Sequence, residues 1–193
     1  WRFIPPAAPH FGGKWEAAVK SAKHHLRRII GDSTLTYEEL STLVTQIEAV
    51  LNSRPLCPLI EDADDYLALT PGHFLLGEAP TVIPEPNLID ETSSRLNRWQ
   101  LIRQKVEHFW KRWKAECLQR YHVISKCHHP STQLKEGSLV LVLDERYPPA
   151  KWPLARVIKL HPSNDNLTRV VTVKTASTTF KRPVTKICIL PYS

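Results

Sequence analysis

Apolar residues recur at helical spacing in three stretches of the chain, and a fourth stretch turns to alternating and continuous apolar runs. Trp15, Val19, Ala22, Leu26 and Ile29 follow one another at steps of three and four, as a single apolar stripe on a helix requires. The spacing predicts a helix from about Lys14 to Ile30, given freedom at its start by Gly12 and Gly13 and stopped by Gly31. A second helix begins at a capping box, Thr36 with Glu39 three positions later. It carries Leu40, Leu43, Val44, Ile47, Val50 and Leu51 on one side until Asn52-Ser53-Arg54-Pro55 ends it. Residues 56–91 are irregular and punctuated by proline. Within them Thr70-Pro71 supplies an N-cap and first helical position for a turn or two ending at Gly77. Ala79–Asn87 reads as a spacer, and Trp1–Pro9, at the other end of this half, as a short extended entry broken by Pro5, Pro6 and Pro9. The third and longest helix is predicted from about Glu91 to Tyr121. Leu96, Trp99, Ile102, Val106, Phe109 or Trp110, Trp113 and Cys117 form its stripe. Trp99 and Trp113 fall on that stripe, so they are expected to pack against protein rather than stack on bases.

After Gly137 the period changes. Short strands are predicted at Ser138–Leu143, Trp152–Leu160, Arg169–Thr175, Thr178–Arg182 and Ile187–Leu190, with His161–Thr168 as a turn. Five short strands in so few residues fit a small curled barrel, with a thin core that leans on the long helix. The expected class is therefore α+β. Trp152, beside Pro153 and Leu154, is expected in that core.

Charge divides the chain further. The net charge of +7 over 193 residues is unevenly spread. Glu61 to Glu91 holds eight acidic residues and no Lys or Arg; Leu134 to Ser193 holds ten basic and four acidic. A polyanionic partner for the second half is the direct implication, with a merely soluble basic surface as the alternative. No stretch approaches the roughly 18 consecutive apolar residues of a membrane span, and no signal peptide is visible. With no Met anywhere, the chain reads as an internal piece of a longer protein.

The first helix carries the sharpest candidate chemistry. Glu16, Lys20, Lys23 and Arg27 share a face. They make either an ordinary amphipathic surface with a Glu16–Lys20 pair, or a carboxylate that holds a metal beside lysines that hold phosphates. Arg54 is read either as a phosphate ligand or as a local cap. Cys57, Cys117, Cys127 and Cys188 are scattered, and without a secretory context reduced thiols are expected. Cys127-His128-His129 with Cys117 or His122 fits no closed zinc template. An aromatic cage would have to be drawn from Tyr147, Trp152 and Phe180.

These residues carry a resemblance. PPAAPHFGGKWE followed by VKSAKHHL, then LTYEELSTLVTQIEAVLNSRPLCP, resembles the end of the integrase catalytic domain of Pao/BEL-type retrotransposons. GSLVLVLDE, WPLARVIKLHP, RVVTVKT and FKRPVTKICILP resemble the SH3-like C-terminal domain of the same family. The resemblance implies residues 1–90 as the helical tail of an incomplete RNase H-like domain, 91–133 as a long basic linker helix, and 134–193 as an SH3-like β-barrel. It implies Glu16 as the third carboxylate of an Asp–Asp–Glu triad that binds Mg²⁺ or Mn²⁺, with Lys20, Lys23 and Arg27 on the DNA end. Both aspartates of such a triad lie upstream, and the fifteen residues before Glu16 contain no acid. The chain alone is therefore expected to be inactive in DNA strand transfer, and no tightly bound cofactor is expected. In the small domain Arg156, Lys159, Arg169, Lys174, Lys181, Arg182 and Lys186 are the candidate contacts to double-stranded DNA, salt-dependent and indifferent to sequence. Self-association in a larger integrase assembly, DNA integration and a nuclear location (otherwise cytoplasmic) are implied with them. A structural or protein-interaction module in a decayed or domesticated element is the alternative.

Overall fold

The computed structural model of the chain describes residues 13–60, 65–80, 85–127, 134–144, 147–163 and 168–190. The lead-in Trp1–Pro9, Gly12, the side chains of Trp15 and Cys127, His128, His129 and the middle of the His161–Thr168 turn lie outside the described residues.

Helix α1 spans Gly13–Ile30 and α2 spans Tyr37–Asn52. A two-residue strand pair follows, β1 (Cys57–Pro58) against β2 (Ala68–Leu69), and then the short helix α3 (Pro71–Leu76). Helix α4 runs over Arg98–Cys127, preceded by a 3-10 turn at Ser93–Arg95. Five strands complete the chain: β3 (Leu139–Val142), β4 (Leu154–Pro162), β5 (Thr168–Lys174), β6 (Thr179–Pro183) and β7 (Ile187–Ile189).

Local chemistry accounts for the helix ends. Thr36 and Glu39 form the expected capping box: Thr36 Oγ1 accepts from the Glu39 N–H at 3.3 Å, and the Glu39 carboxylate accepts from the Thr36 N–H at 2.8 Å. Gly31 at φ 55° closes α1 and Gly77 at φ 83° closes α3, a backbone region that side chains disfavour. Arg54 donates to the Leu51 carbonyl at 2.7 Å and so acts on the end of α2.

The long helix is the centre of the molecule rather than a spacer. One apolar cluster joins Ile29 of α1 and Leu43, Ile47 and Val50 of α2 to Ile102, Val106, Phe109 and Trp113 of α4. The same cluster continues into Leu139, Leu141, Cys188 and Leu190 beside and within the sheet. The two N-terminal helices both pack on α4. Trp113 is buried as expected, but Trp99 is 51% exposed, since α4 is covered less at its start. Trp152 packs edge-on against Trp110 at 4.8 Å between ring centres, and its indole N–H donates to Ser53 Oγ at 3.1 Å. Such aromatic contacts contribute about 0.5–1.5 kcal/mol each beyond burial.

The SH3-like barrel is corrected by the sheet. The five strands form one open antiparallel sheet in the order β6-β5-β4-β3-β7, and among the described residues the edge strands β6 and β7 do not pair with each other. The reason lies in β3. All four of its residues are buried, so it is covered on both faces: Leu139 and Leu141 on the α4 side, Val140 and Val142 on the other. The α4 side gains its cover from the helix instead of from barrel closure. A second apolar cluster of Val140, Val142, Ala155, Val157, Val171, Val173 and Ile187 fills the opposite face.

Candidate nucleic-acid interface

Strand pairing decides which basic side chains share a surface. Val157 pairs with Val173, and both belong to the second cluster. The next pair along is Lys159 with Thr172, so β4 advances two residues while β5 advances one. This bulge inserts Ile158 and moves Lys159 off the valine face to which simple alternation would assign it. Leu160, pairing with Val171, then takes the apolar side. Thr172 pairs in turn with Lys181 on β6, while Arg156 pairs with Lys174. Lys159, Lys174 and Lys181 therefore lie on one face, and all three are exposed. Lys159 and Lys181 are two strands apart, roughly 10 Å across the sheet.

The other predicted contacts are dispersed. Arg156 lies on the same face as the lysines, but its guanidinium donates to the Gly137 carbonyl at 2.7 Å and the Asp65 carbonyl at 2.8 Å, fastening the sheet to the segment before β2. Arg182 pairs with Val171, so it lies on the opposite face from Lys181, and its guanidinium stands 4.8 Å from the Phe180 ring centre. Arg169 is exposed at the second register shift of β5, and Lys186 is exposed in the 3-10 turn Val184–Lys186. Phe180 joins the valine cluster and Trp152 the α4 cluster, so Tyr147, Trp152 and Phe180 form no cage.

On α1 the structure keeps the predicted face together. Glu16, Lys20, Lys23 and Arg27 are all exposed and line one shallow groove, which His24 and Arg28 also line. The apolar stripe is shifted from its expected place: Val19 is 44% exposed, whereas His25 is buried at 6%. His25 Nε2 lies 2.5 Å from the Glu116 carboxylate of α4, which also accepts from Ser21 Oγ at 3.1 Å and pairs with Arg120. Burial, the largest influence on Glu116, raises its pKa; the contacts with His25, Arg120 and Ser21 together outweigh it and hold the carboxyl below the ordinary 4.5.

Glu16 does not fit a metal centre on its own. The group named with it by the resemblance, two ions clamping reacting oxygens, needs several convergent carboxylates. Among the described residues no group of three or more His, Cys, Asp or Glu is placed to hold a metal ion. Cys117 and Cys188 are buried thiols whose pKa values burial pushes up, that of Cys188 to about 12, which makes them inert at neutral pH.

Periodicity assigns several basic residues of α4 to its outer faces, and the structure engages them with distant partners. Arg98 pairs with Glu39, and Arg103 pairs with Glu85. Lys105 is only 6% exposed and donates to the Ile29 carbonyl and to Ser33 Oγ, each at 2.9 Å. No local signal marks Lys105, because its partners are more than 70 residues away.

Residues 97–190 match a family of unknown function (DUF5641). No curated protein and no solved structure matches the chain. The matched span begins one residue before α4 and ends one residue after β7, so it takes in the central helix and the whole five-stranded sheet with its basic face.

Proposed function

We propose that this chain is part of a retrotransposon integrase of the Pao/BEL type and that its own contribution to DNA integration is binding duplex DNA. The observation that carries the reading is the register of β4, β5 and β6, with Lys159, Lys174 and Lys181 exposed on one face. Lysines on a strand face make point-charge contacts to phosphate oxygens, which position a protein on DNA without reading its sequence. Lys20, Lys23 and Arg27 on α1 form a second basic surface for the same polyanion. Strand transfer by an Asp–Asp–Glu triad needs two aspartates besides Glu16 to hold its metal ions, so on this reading the chain contributes contacts to DNA rather than the chemistry. A role in integration places the protein in the nucleus.

The test is duplex binding by the full chain over a salt series. The expected result is a linear fall of log affinity with log salt. The slope should become shallower by about two for the double variant Lys159→Glu/Lys181→Glu, at close to 0.9 for each phosphate that is no longer neutralised. Affinity and slope should hardly differ between unrelated sequences. An absence of binding at low salt, or a double variant that binds like the parent, overturns the proposal.

A further inference from the structure

The lysine face of the sheet also carries a histidine. His161 Nε2 lies 2.8 Å from Thr172 Oγ1, so the two side chains stand on one face. Thr172 pairs with Lys159 on one side and with Lys181 on the other, and paired residues share a face. His161 therefore joins the three lysines, two residues along β4 from Lys159 and roughly 7 Å from it. It reaches this face for the same reason as Lys159, because the residue inserted at Ile158 shifts both.

The surroundings of the ring are mostly basic. Lys159 shares β4 with it, Arg169 and Lys174 lie on β5, and Lys181 lies on β6. Directly across from His161 stand uncharged residues, Val170 on β5 and then Pro183 on β6. Glu136, before β3, brings a carboxylate to the same stretch of β4, where it accepts from the Leu160 N–H at 3.1 Å. His161 itself is partly exposed, at the sheet surface rather than enclosed.

Protonation changes what such a ring offers. A neutral imidazole has one N–H, and an imidazolium has two. The Thr172 hydroxyl can donate or accept, so its bond to Nε2 is kept in either state. In the cation Nε2–H donates to Thr172, and Nδ1–H, which has no partner among the described residues, remains for an outside acceptor. Without a polyanion the lysines oppose a further positive charge among them. Phosphate oxygens neutralise the lysines and attract it.

We infer that His161 is a further phosphate contact on this face, made by its protonated ring, so that duplex binding takes up a proton and tightens as pH falls. The inference rests on the DNA reading of the lysine face. It is reciprocal: if the protonated ring strengthens binding, bound DNA favours the protonated ring by the same factor. Histidine changes charge in a range where lysine and phosphodiester charges stay constant, so the two kinds of contact are separable.

The test is duplex binding by the full chain over a salt series at about pH 8 and about pH 5.5, on either side of the histidine range. The parent should bind more tightly at the lower pH. His161→Gln keeps a hydrogen-bonding partner for Thr172 but stays neutral, so it should match the parent at the higher pH. On going to the lower pH, the slope of log affinity against log salt should steepen for the parent by about 0.9 more than for His161→Gln, one added phosphate contact. His161→Lys, charged throughout, should already show at the higher pH the slope that the parent reaches only at the lower. The other histidines, His24 in the α1 groove included, are common to all three proteins and cancel in the comparison. A His161→Gln chain that gains as much as the parent overturns the inference and leaves the DNA reading standing. A parent whose slope is the same at both pH values does likewise. A chain that binds no duplex at low salt at either pH overturns both.

Discussion

Glu116 joins three side chains from two helices at one carboxylate. His25 and Ser21 reach it from α1, and Arg120 reaches it from the next turn of α4. The carboxyl is held below 4.5, so the folded state binds its proton less readily than the unfolded state does. The stability this supplies is present above about pH 4.5 and is lost as pH falls through the lower folded value. Glu116→Gln should therefore flatten the acid limb of a stability-against-pH curve below that point, read by urea denaturation at several pH values. An acid limb identical to the parent's would show that Glu116 contributes nothing there. The sequence around Glu116 offers only the i,i+4 pair with Arg120, since its other two partners are more than 90 residues away. Glu16 shows the same four-residue spacing, to Lys20. The structure leaves it on an exposed surface, where local spacing alone already placed it.

At the scale of the element, α1 shows how two distant segments complete each other. Its last carbonyls lack helical partners, as those of any helix do. Gly31 turns the chain away, and the ammonium of Lys105 donates to Ile29 and Ile30. A cation at that end also complements the helix dipole. Burial lowers the Lys105 pKa, and the hydrogen bonds to the α1 end satisfy a charge that would otherwise be stranded. Lys105→Met keeps much of the volume but leaves the Ile29 carbonyl and the Ser33 hydroxyl without this donor. It should cost about 1–3 kcal/mol of unfolding free energy and speed amide exchange in the last turn of α1. Unchanged exchange there would sink this account of the cap. On β6, the outer strand of the sheet among the described residues, Lys181 and Pro183 give a composition that discourages strand addition by another chain.

At the scale of the whole molecule, the helices and the sheet share one apolar cluster through α4. Trp152 leans on Trp110 while bonding Ser53 at the end of α2, and Tyr121 donates to the Pro55 carbonyl at 2.9 Å. Near-UV and far-UV circular dichroism should therefore follow a single unfolding transition with coincident midpoints. Two separated transitions, one for helix and one for sheet, would show that the shared cluster does not couple them.

Much of the element order was legible. Capping box, glycine stops, helical spacing and strand alternation are local, and they placed the other helices and the five C-terminal strands within a few residues of their observed bounds, whereas α4 runs over Arg98–Cys127 and not Glu91–Tyr121. The division of charge between an acidic middle and a basic second half is likewise a property of composition, present before any folding. Periodicity fails at α4 because it assumes one buried side. This helix is covered by α1 and α2 on one side, by the sheet on another and by the segment 88–91 on a third, so Lys105 is buried against the end of α1, and Gln104 and Glu107 against that segment. Only tertiary structure decided that the sheet stays open, because the α4 surface covers β3 without strand closure. Only tertiary structure, through one inserted residue at Ile158, decided that Lys159 joins Lys174 and Lys181 while Arg182 faces away. Sequence specifies what each residue is and the local turn it prefers; which face it shares depends on pairing with segments far along the chain.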